Sequence, residues 1–522
     1  MNLLLITLVA FLAIVATKFS NKSGIPALLL FLCLGVLFSS LGVEFNDFHL
    51  SNEIATISLI IIMFYGGFGT NITMASPVLN KAVVLSTLGV ILTATLTGLF
   101  CHYVLKFGFL ESMLLGSVVG STDFASVSNI LVSKNLNLKY NTASLLEVES
   151  GSNDPTAYTM TMIFVSFILG KDISIPALII KQIVIALALG FLGGKLFFKI
   201  TEKTDMDEDG IFILFIAASM IGIYAITDYF MGNGYLAVYI FGIYIGNHEF
   251  KKKRDVVFFY DGLSTIFQIA MFFLLGLLSN VGQIVKVIPQ GLIIMIFMSM
   301  VIRPVVVYIL MKPFKLKTNQ IFLISFAGLR GAAAIAFAIM AINNNVNLSF
   351  DIFHTVFVIC IFSLLIQGSL LPFVTDKLNM FSINDSVLRT FNYYSDKTEI
   401  GFIEVNIKEN SPWINKKISD INISFNIIIA KIERDGKSII PNGNTILKCK
   451  DVVVIGGKSY FDKKGEELFE INLGNQHEWV NKRIKDINTE NKGLIIMIQK
   501  DDGRLIVPNG NTILEENDRI LL

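Results

Sequence analysis

Three side chains that can hold a proton or a cation share one apolar stretch of this sequence. Glu149, Asn153 and Asp154 lie within residues 145–169, most of whose other residues are typical of a membrane-spanning helix. An ionised side chain at the centre of such a helix costs roughly 2.5 kcal/mol or more, so a functional role is the first hypothesis for Asp154. Burial disfavours the charged form of a carboxylate. Asp154 can therefore hold a proton in one state and coordinate a cation in the other.

The geometry of a helix separates the roles of the two carboxylates. Glu149 and Asn153 are four residues apart and share a helical face, whereas Asp154 lies about 100° further round. Pro155 lacks a backbone N–H and disfavours helical geometry at the residue before it. We therefore expect a disturbed helix at Asp154 and a backbone carbonyl that an ion can use. A structural ion pair with an arginine is the alternative role for Asp154, and it is the preferred interpretation of Glu149.

Two other apolar segments are interrupted by glycine and charge. In residues 109–131, glycines and hydroxyl residues precede the Thr122–Asp123 pair, and in residues 320–342 two glycines flank Leu329 and Arg330. Broken helices in transporters provide free backbone groups at the midplane, and a matched pair of them is typical of an inverted repeat with crossed helices. Close helix packing is the alternative explanation for the glycines. Packing alone does not explain why each interruption carries a charge.

Arg303 and Arg330 are the arginines that lie deep in apolar segments. Unpaired, they would be as costly as the carboxylates. We expect Glu149, and secondarily Asp123, to pair with them in a structural ion pair beside the site. The sequence leaves open which arginine contacts Glu149.

Composition and charge place these segments in a membrane protein with a soluble tail. The 522 residues are 53% hydrophobic and 16% charged, with a mean hydropathy of +0.65, and the polar residues concentrate in 377–522. A net charge of +1 gives no indication of nucleic-acid binding. The four cysteines have neither disulfide nor metal-ligand spacing. Since the sequence also lacks a nucleophile elbow and a Walker loop, we expect neither an enzyme nor a bound cofactor.

A window of about 20 apolar residues crosses a bilayer. This criterion predicts thirteen spans, at residues 2–19, 25–41, 53–69, 78–105, 109–131, 144–169, 173–199, 211–230, 234–247, 261–279, 287–311, 320–342 and 352–375. If the N-terminus is outside, fifteen lysines and arginines fall on the inside and only Lys106, Lys171 and Lys286 fall on the outside. That asymmetry predicts a multi-pass protein of the inner (plasma) membrane with a cytoplasmic tail.

Five strings, at residues 120–123, 149–155, 232–239, 272–278 and 328–332, carry a resemblance that covers the whole membrane region. They resemble the NhaP-type monovalent cation:proton antiporters, above all the potassium/proton branch known as cell-volume-regulation protein A. The resemblance implies a homodimer, a dimerisation domain, and a mobile core that moves like an elevator. It also implies the cargo: K⁺, with Na⁺ as the second choice, exchanged for H⁺.

The resemblance also assigns roles to residues. Asp154 would be the shared ligand of proton and cation, Asn153 would hold a position that is aspartate in electrogenic relatives, and Thr122 and Asp123 would line the site. Many sodium-specific members have proline after the Thr–Asp pair, where this chain has Phe124. With one titrating carboxylate beside a neutral amide, one cation displaces about one proton. Exchange is then expected to be electroneutral.

The tail contains an internal repeat. Residues 413–422 recur at 479–488, and residues 440–447 recur at 507–514. Short apolar runs between Asp–Gly and Asn–Gly turns predict a small β-rich α+β module in each copy. Each copy resembles the TrkA-C domain, which in relatives pairs across a dimer and can bind a regulatory nucleotide such as cyclic di-AMP. The ligand candidates are Pro441, Asn442, Asn444, Pro508, Asn509 and Asn511, although a plain turn is the preferred interpretation of these segments.

Together these patterns predict an all-α polytopic membrane domain followed by two small α+β modules. We expect the antiporter domain at 1–376, a linker at 377–398, and TrkA-C-like modules at 399–460 and 465–522. The alternatives are a Na⁺/H⁺ antiporter of the same fold and a TrkA-C-gated cation channel. The sequence contains no recognisable selectivity-filter loop, which argues against the channel.

Overall fold

The computed structural model describes two compact units, Met1–Tyr394 and Ser395–Leu522. The described residues are 3–521 except for 24–25, 44, 46, 124–125, 128–129, 131–137, 173, 205–208, 249, 251–252, 382–399, 408–410, 412, 422–426, 435–436, 459–469, 474–478, 488–494, 496, 501–504, 507 and 517. Phe124 and most of the predicted linker lie outside the described residues.

The regular elements described in the first unit are helices. Its helices are α1 (Leu3–Ser23), α2 (Ala27–Ser40), α3 (Phe48–Gly69), α4 (Ile72–Val84), α5 (Val90–Leu105), α6 (Phe109–Val118), α7 (Thr142–Ile168), α8 (Ile175–Thr201), α9 (Asp209–Tyr229), α10 (Gly234–Gly246), α11 (Lys253–Leu277), α12 (Val281–Phe297), α13 (Arg303–Met311), α14 (Thr318–Phe326), α15 (Ala332–Asn343), α16 (Ile352–Phe362) and α17 (Ser369–Lys377).

Seven helical segments among the described residues are long and apolar enough to cross a membrane. Helix α7 is not among them, because the polar residues of its N-terminal half lower its hydropathy. Several helices also extend past the predicted spans. Helix α11, for example, begins at Lys253, eight residues before the span predicted at 261–279. Polar residues can continue a helix beyond the hydrocarbon core, and hydropathy alone does not detect that extension.

Three π-helical turns join neighbouring helices: Leu85–Gly89 between α4 and α5, Met298–Ile302 between α12 and α13, and Ser363–Gly368 between α16 and α17. Such turns occur frequently at functional sites. The second turn directly precedes Arg303, and the third contains Ser363, which contacts the candidate site described below.

In the string at residues 272–278, Gly276 allows helix α11 to approach helix α2 closely. A Cβ atom on Gly276 of α11 would lie 2.2 Å from the Leu32 carbonyl oxygen of α2, and one on Gly35 would lie 2.1 Å from the Phe273 carbonyl oxygen. Neither position has room for a side chain. Small residues let membrane helices approach backbone to backbone, and here they fix the contact between α2 and α11.

The second unit contains two four-stranded antiparallel sheets with the same strand order. The strands are β1 (Ile400–Asn406), β2 (Ile427–Arg434), β3 (Lys437–Ile439), β4 (Val452–Lys458), β5 (Glu470–Asn472), β6 (Met497–Gln499), β7 (Leu505–Ile506) and β8 (Arg519–Leu521). The orders are β1-β4-β2-β3 and β5-β8-β6-β7, so each strand of the second sheet has the position of its counterpart in the first. The sequence repeat therefore corresponds to a repeat of the sheet.

Each sheet has its own small apolar core. One is formed by Ile407, Ile421, Ile429, Ile432, Leu447 and Val453, and the other by Leu473, Trp479, Ile495, Ile498, Leu514 and Ile520. A bulge between Ile429 and Lys431 shifts the pairing of β2 with β4 by one residue. The described tail residues are strands, turns and two single 3₁₀ turns, Ile418–Asp420 and Ile484–Asp486.

Candidate functional site

Helix α7 carries the predicted site and continues without a break through Pro155. The expectation of non-helical geometry at Asp154 was therefore wrong. Proline in a membrane helix is tolerated where neighbouring groups satisfy the backbone around it. Here the Pro155 carbonyl accepts hydrogen bonds from the Asn233 side chain at 2.8 Å and from the Thr159 hydroxyl at 3.0 Å. These bonds engage the Pro155 carbonyl itself, whereas the carbonyl that loses its helical donor at this proline is that of Gly151, four residues earlier.

Asp154 is buried on α7, with 8% of its surface exposed. The Ser121 side chain hydrogen-bonds its carboxyl group, and Asp123 lies near enough for the two carboxylates to repel each other. Among the described residues, the Asp154 Oδ1 atom has no hydrogen-bond partner. A buried polar atom without a partner is rare and costly, and it indicates a position for a proton or a cation.

The side chains beside Asp154 hold the first helix interruption. Asn153 donates to the Thr122 hydroxyl at 2.6 Å and to the Thr122 carbonyl at 3.2 Å. Ser150, one turn earlier on α7, donates to the same carbonyl at 2.5 Å. All three residues are buried. The interruption after Val118, where α6 ends, is therefore fixed to α7 by side-chain hydrogen bonds.

The two interruptions also contact each other. The Asp123 backbone N–H donates to the Leu329 carbonyl at 2.8 Å, and the Asp123 carboxylate accepts from the Ser126 hydroxyl at 2.6 Å. A Cβ atom on Gly331 would lie 2.3 Å from an Asp123 carboxylate oxygen. Glycine at 331 is thus required for the approach of Asp123 to the second interruption.

Arg330 binds the main chain of the first interruption. Its Nη1 donates to the Gly120 carbonyl at 2.8 Å and to the Ser121 carbonyl at 2.5 Å, and its side chain is 1% exposed. These carbonyls follow the C-terminus of α6, where the partial charge of a helix is negative. The guanidinium group therefore stabilises the broken end of α6 and positions Ser121 beside Asp154.

Arg303 is the arginine that contacts Glu149. Its Nη2 donates to the Glu149 carboxylate, and both side chains are 1% exposed. The sequence also allowed a contact of Glu149 with Arg330. Instead, the Arg330 guanidinium group binds the Gly120 and Ser121 carbonyls. Glu149 already has a cationic partner, so of Glu149 and Asp154 the second is the better suited to bind cargo.

The sequence analysis missed Gln367 and Ser363, two residues of the third π-helical turn that connect this turn to the second interruption. Gln367 donates to the Phe326 carbonyl at 3.1 Å, where α14 ends, and accepts from Ser363 at 2.8 Å and Ser299 at 3.0 Å. The Ser363 hydroxyl also accepts from the Arg330 N–H at 3.1 Å. Gln367 lies in the apolar segment 352–375, and its polarity there was the available signal.

The Asn–Gly turns of the tail use their own side chains. The Asn442 side-chain oxygen accepts from the Asn444 N–H at 3.0 Å, and Asn509 accepts from Asn511 at the same distance. These four asparagines are exposed, and Pro441 and Pro508 are half-buried. An asparagine that bonds to the backbone two residues on forms an Asx turn, which agrees with the plain-turn interpretation.

The chemistry of the site follows from its oxygen atoms. Carboxylate, hydroxyl and carbonyl oxygens from residues 121–123 and from Asp154 are gathered at one place in the helical unit. Such oxygens suit hard cations, and a buried carboxylate can exchange a cation for a proton. The arrangement therefore supports competition between the two at Asp154.

Comparison with known proteins identifies the family. Residues 7–377 match the family model of the transmembrane sodium/hydrogen exchangers. The chain belongs to the sodium/hydrogen exchanger family. Residues 402–459 and 468–522 each match the TrkA-C domain. Both resemblances inferred from the sequence are confirmed.

Curated relatives match this sodium/hydrogen exchanger along most of its length. The K(+)/H(+) antiporter NhaP of Alkalimonas amylolytica is 32% identical over 464 residues, covering 87% of this chain and 81% of that protein. The K(+)/H(+) antiporter NhaP2 of Shewanella sp. (strain ANA-3) is 28% identical over 465 residues, covering 86% and 80%.

One solved structure has a fold similar to that of this chain. The sodium proton antiporter MjNhaP1 from Methanocaldococcus jannaschii at pH 8 has a TM-score of 0.64 and 22% identity, covering 71% of this chain and 97% of that one. At this identity the likeness concerns the fold alone.

Proposed function

We propose that this exchanger is a secondary antiporter that exchanges a monovalent cation for H⁺ at Asp154. The observation that carries the proposal is the buried Asp154 carboxyl group, with one oxygen unpartnered among the described residues and two helix interruptions beside it. The names of the two curated relatives, both K(+)/H(+) antiporters, support K⁺ as the first cargo. The name of MjNhaP1, a sodium proton antiporter, supports Na⁺ as the second candidate.

In the proposed cycle, Asp154 alternates between two forms. The protonated form is neutral, and its burial favours it when no cation is bound. Loss of the proton creates a carboxylate that coordinates the cation together with oxygens of Thr122 and Asp123. Alternating access then carries either the proton or the cation across the membrane.

The charge of the site remains constant in this cycle. Glu149 is paired with Arg303, and Asn153 is neutral, so neither takes part when Asp154 exchanges its cargo. One cation replaces one proton, and exchange is electroneutral. Concentration and pH gradients, and not voltage, then drive transport.

The finer architecture is part of the same proposal. Thirteen spans at residues 1–376 form two inverted repeats with two crossed, broken helices. A linker at 377–398 leads to two TrkA-C modules at 399–460 and 465–522. The protein forms a homodimer in the inner (plasma) membrane, with its N-terminus outside and its tail in the cytoplasm. The contact between the interruptions at residues 123 and 329 supports the crossing, and the lysine and arginine distribution supports the orientation.

The tail is proposed to regulate transport by binding a nucleotide such as cyclic di-AMP. Its two TrkA-C matches support this role. Addition of cyclic di-AMP to the full chain in proteoliposomes is expected to change the exchange rate, while 5′-AMP, the control, leaves it unchanged. An identical rate with and without cyclic di-AMP across a wide concentration range would reject this ligand.

One experiment tests the exchange itself. Proteoliposomes containing the full chain and a pH-sensitive dye receive K⁺, Na⁺ or Li⁺ under an imposed pH gradient. We expect cation-dependent proton movement that saturates with K⁺, and its loss in the Asp154→Asn variant. Asp261→Asn, a matched change at an exposed carboxylate of α11, is expected to exchange at the wild-type rate. Exchange by Asp154→Asn at that rate would overturn the proposal.

A further inference from the structure

A cavity of about 240 Å³ lies among α3, α7, α9, α10 and α15. Its lining is rich in oxygen atoms, contributed by Asn52, Tyr158, Tyr224, Asp228, Tyr235 and Asn344. None of these residues is part of the site described above. The cavity therefore provides a second polar region within the helical unit.

The cavity reaches the neighbourhood of Asp154. Tyr158 is four residues after Asp154, one turn further along α7. Its ring centroid is 5.1 Å from that of Tyr235, with the two rings arranged edge to face. Tyr235 also interacts electrostatically with Asp154 and hydrogen-bonds the side chains of Thr56 and Tyr224. The Tyr235 side chain thus contacts the cavity and is also coupled to the carboxylate.

Asp228 supplies a negative charge to this cavity. It lies in the last turn of α9, where it is exposed, and interacts electrostatically with Tyr158, Tyr224 and Tyr235. A carboxylate in a cleft with low-dielectric walls focuses its field and raises the local concentration of counter-ions. The faces of tyrosine rings attract cations as well. The lining therefore favours a monovalent cation over an anion.

The lysine and arginine distribution places this cavity on the outer side. In that orientation the C-terminal ends of α9 and α15 and the N-terminal ends of α3 and α10 all lie at the outer surface. Asp228, Asn344, Asn52 and Tyr235 are at those ends. The four helices thus contribute to a single outer opening.

We propose that this cavity is the outer vestibule through which the monovalent cation reaches Asp154, with Asp228 as the residue that concentrates the cation and Tyr235 as the inner boundary. The proposal rests on the proposed antiport and adds a route and a binding region to it. Asp228 is a positioning residue in this scheme, since it acts on the cargo before Asp154 does.

The first test measures cation dependence in proteoliposomes at low ionic strength. Asp228→Asn is expected to raise the KM for K⁺ about 3- to 10-fold, with a much smaller change in the maximal rate, because it removes electrostatic attraction at the opening. An inert salt at about 0.3 M should reduce that difference, because it screens exposed charges. Asp261→Asn serves as the control and should keep the wild-type KM. An unchanged KM in Asp228→Asn at low salt would overturn the proposal.

The second test establishes the side of the opening. A positively charged, membrane-impermeant thiol reagent is applied to Asn344→Cys from outside and, in inverted vesicles, from inside. Modification from outside should slow exchange, and K⁺ should protect against it, while the unsubstituted chain controls for its native cysteines. Inhibition from inside alone, or from neither side, would contradict an outer vestibule.

These outcomes are distinct from failure of the antiport itself. If the wild-type chain exchanges K⁺ for H⁺ and Asp154→Asn does not, the proposed function stands whatever Asp228→Asn shows. If the wild-type chain exchanges no cation, both proposals fall.

Discussion

Arg303 donates a hydrogen bond to Glu149 across 154 residues of sequence, and each side chain is 1% exposed. The pair joins α13, directly after a π-helical turn, to the first half of α7. Two opposite charges buried together cost far less than either alone. The pair therefore fixes α7 next to the site while its charge is compensated within the protein.

Replacing one partner of the Glu149–Arg303 pair should lower the stability more than replacing both partners. Glu149→Gln and Arg303→Met each leave one buried charge uncompensated, and each is expected to lower stability by about 3–5 kcal/mol. The double variant should recover most of the loss, which thermal unfolding of the purified chain in detergent can measure. Asp261→Asn is the control for a carboxylate change at an exposed position. If the double variant is as unstable as the sum of the single variants, the two residues do not act as a pair.

An additional carboxylate next to Asp154 on α7 should change the response of exchange to voltage. Asn153→Asp adds a titratable group within the same turn of α7, so one cycle can move a net charge. We expect the exchange rate of this variant to depend on membrane potential, whereas the wild-type rate does not. The measurement compares proteoliposomes at zero potential and at a potential set by a lipophilic ion. Asn319→Asp, the same change at an exposed helix end, is the control, and equal rates for Asn153→Asp at both potentials would contradict the prediction.

Gly331 should tolerate no side chain. In Gly331→Ala the new Cβ would lie 2.3 Å from the Asp123 carboxylate, so the two interruptions must move apart. Overpacking of this kind costs about 1–3 kcal/mol, and we expect exchange to slow by about tenfold. Gly66→Ala is the matched control, because a Cβ atom at that position meets nothing within 4 Å. Wild-type exchange by Gly331→Ala would show that the contact between the interruptions is not needed for transport.

The first TrkA-C module should depend on pH through Asp451. Burial opposes ionisation of this aspartate. Hydrogen bonds from Arg434 and from the Lys448 N–H, with the charge of Arg434, outweigh that effect and lower the Asp451 pKa below its ordinary 3.8. Both Arg434 contacts are 2.7 Å long. A lowered pKa in the folded state stabilises the module above pH 3.8, and this contribution is lost as the pH falls through the folded-state value.

Because the folded-state pKa of Asp451 is lowered, its contribution to stability can be measured as a function of pH. Asp451→Asn is expected to destabilise residues 395–522 by about 1–3 kcal/mol at pH 7, in urea unfolding monitored by circular dichroism. The difference between Asp451→Asn and wild type should shrink as the pH falls below the ordinary aspartate value. Glu433→Gln, a change at an exposed carboxylate of β2 that pairs with Lys431 and not with Asp451, is the control. A difference that remains constant down to the acid transition would rule out ionised Asp451 as its source.

Much of the site could be predicted from the sequence, because the cost of a charge in an apolar segment is a local property. Asp154, Glu149, Arg303 and Arg330 were all identified on that ground. The end of α6 at Val118 and the interval between α14 and α15 likewise follow from local glycine and hydroxyl content. The tail repeat was visible as identical strings, and its two sheets have the same strand order.

What only the tertiary structure decided is which of these groups meet. The sequence could not choose Arg303 over Arg330 as the partner of Glu149, nor assign Arg330 to the Gly120 and Ser121 carbonyls. It also missed Gln367 and predicted a disturbed helix at Asp154. The physical reason is that composition determines the cost of burying a polar group. The partner that offsets this cost comes from a distant helix, and the packing of the helices alone determines which helix that is.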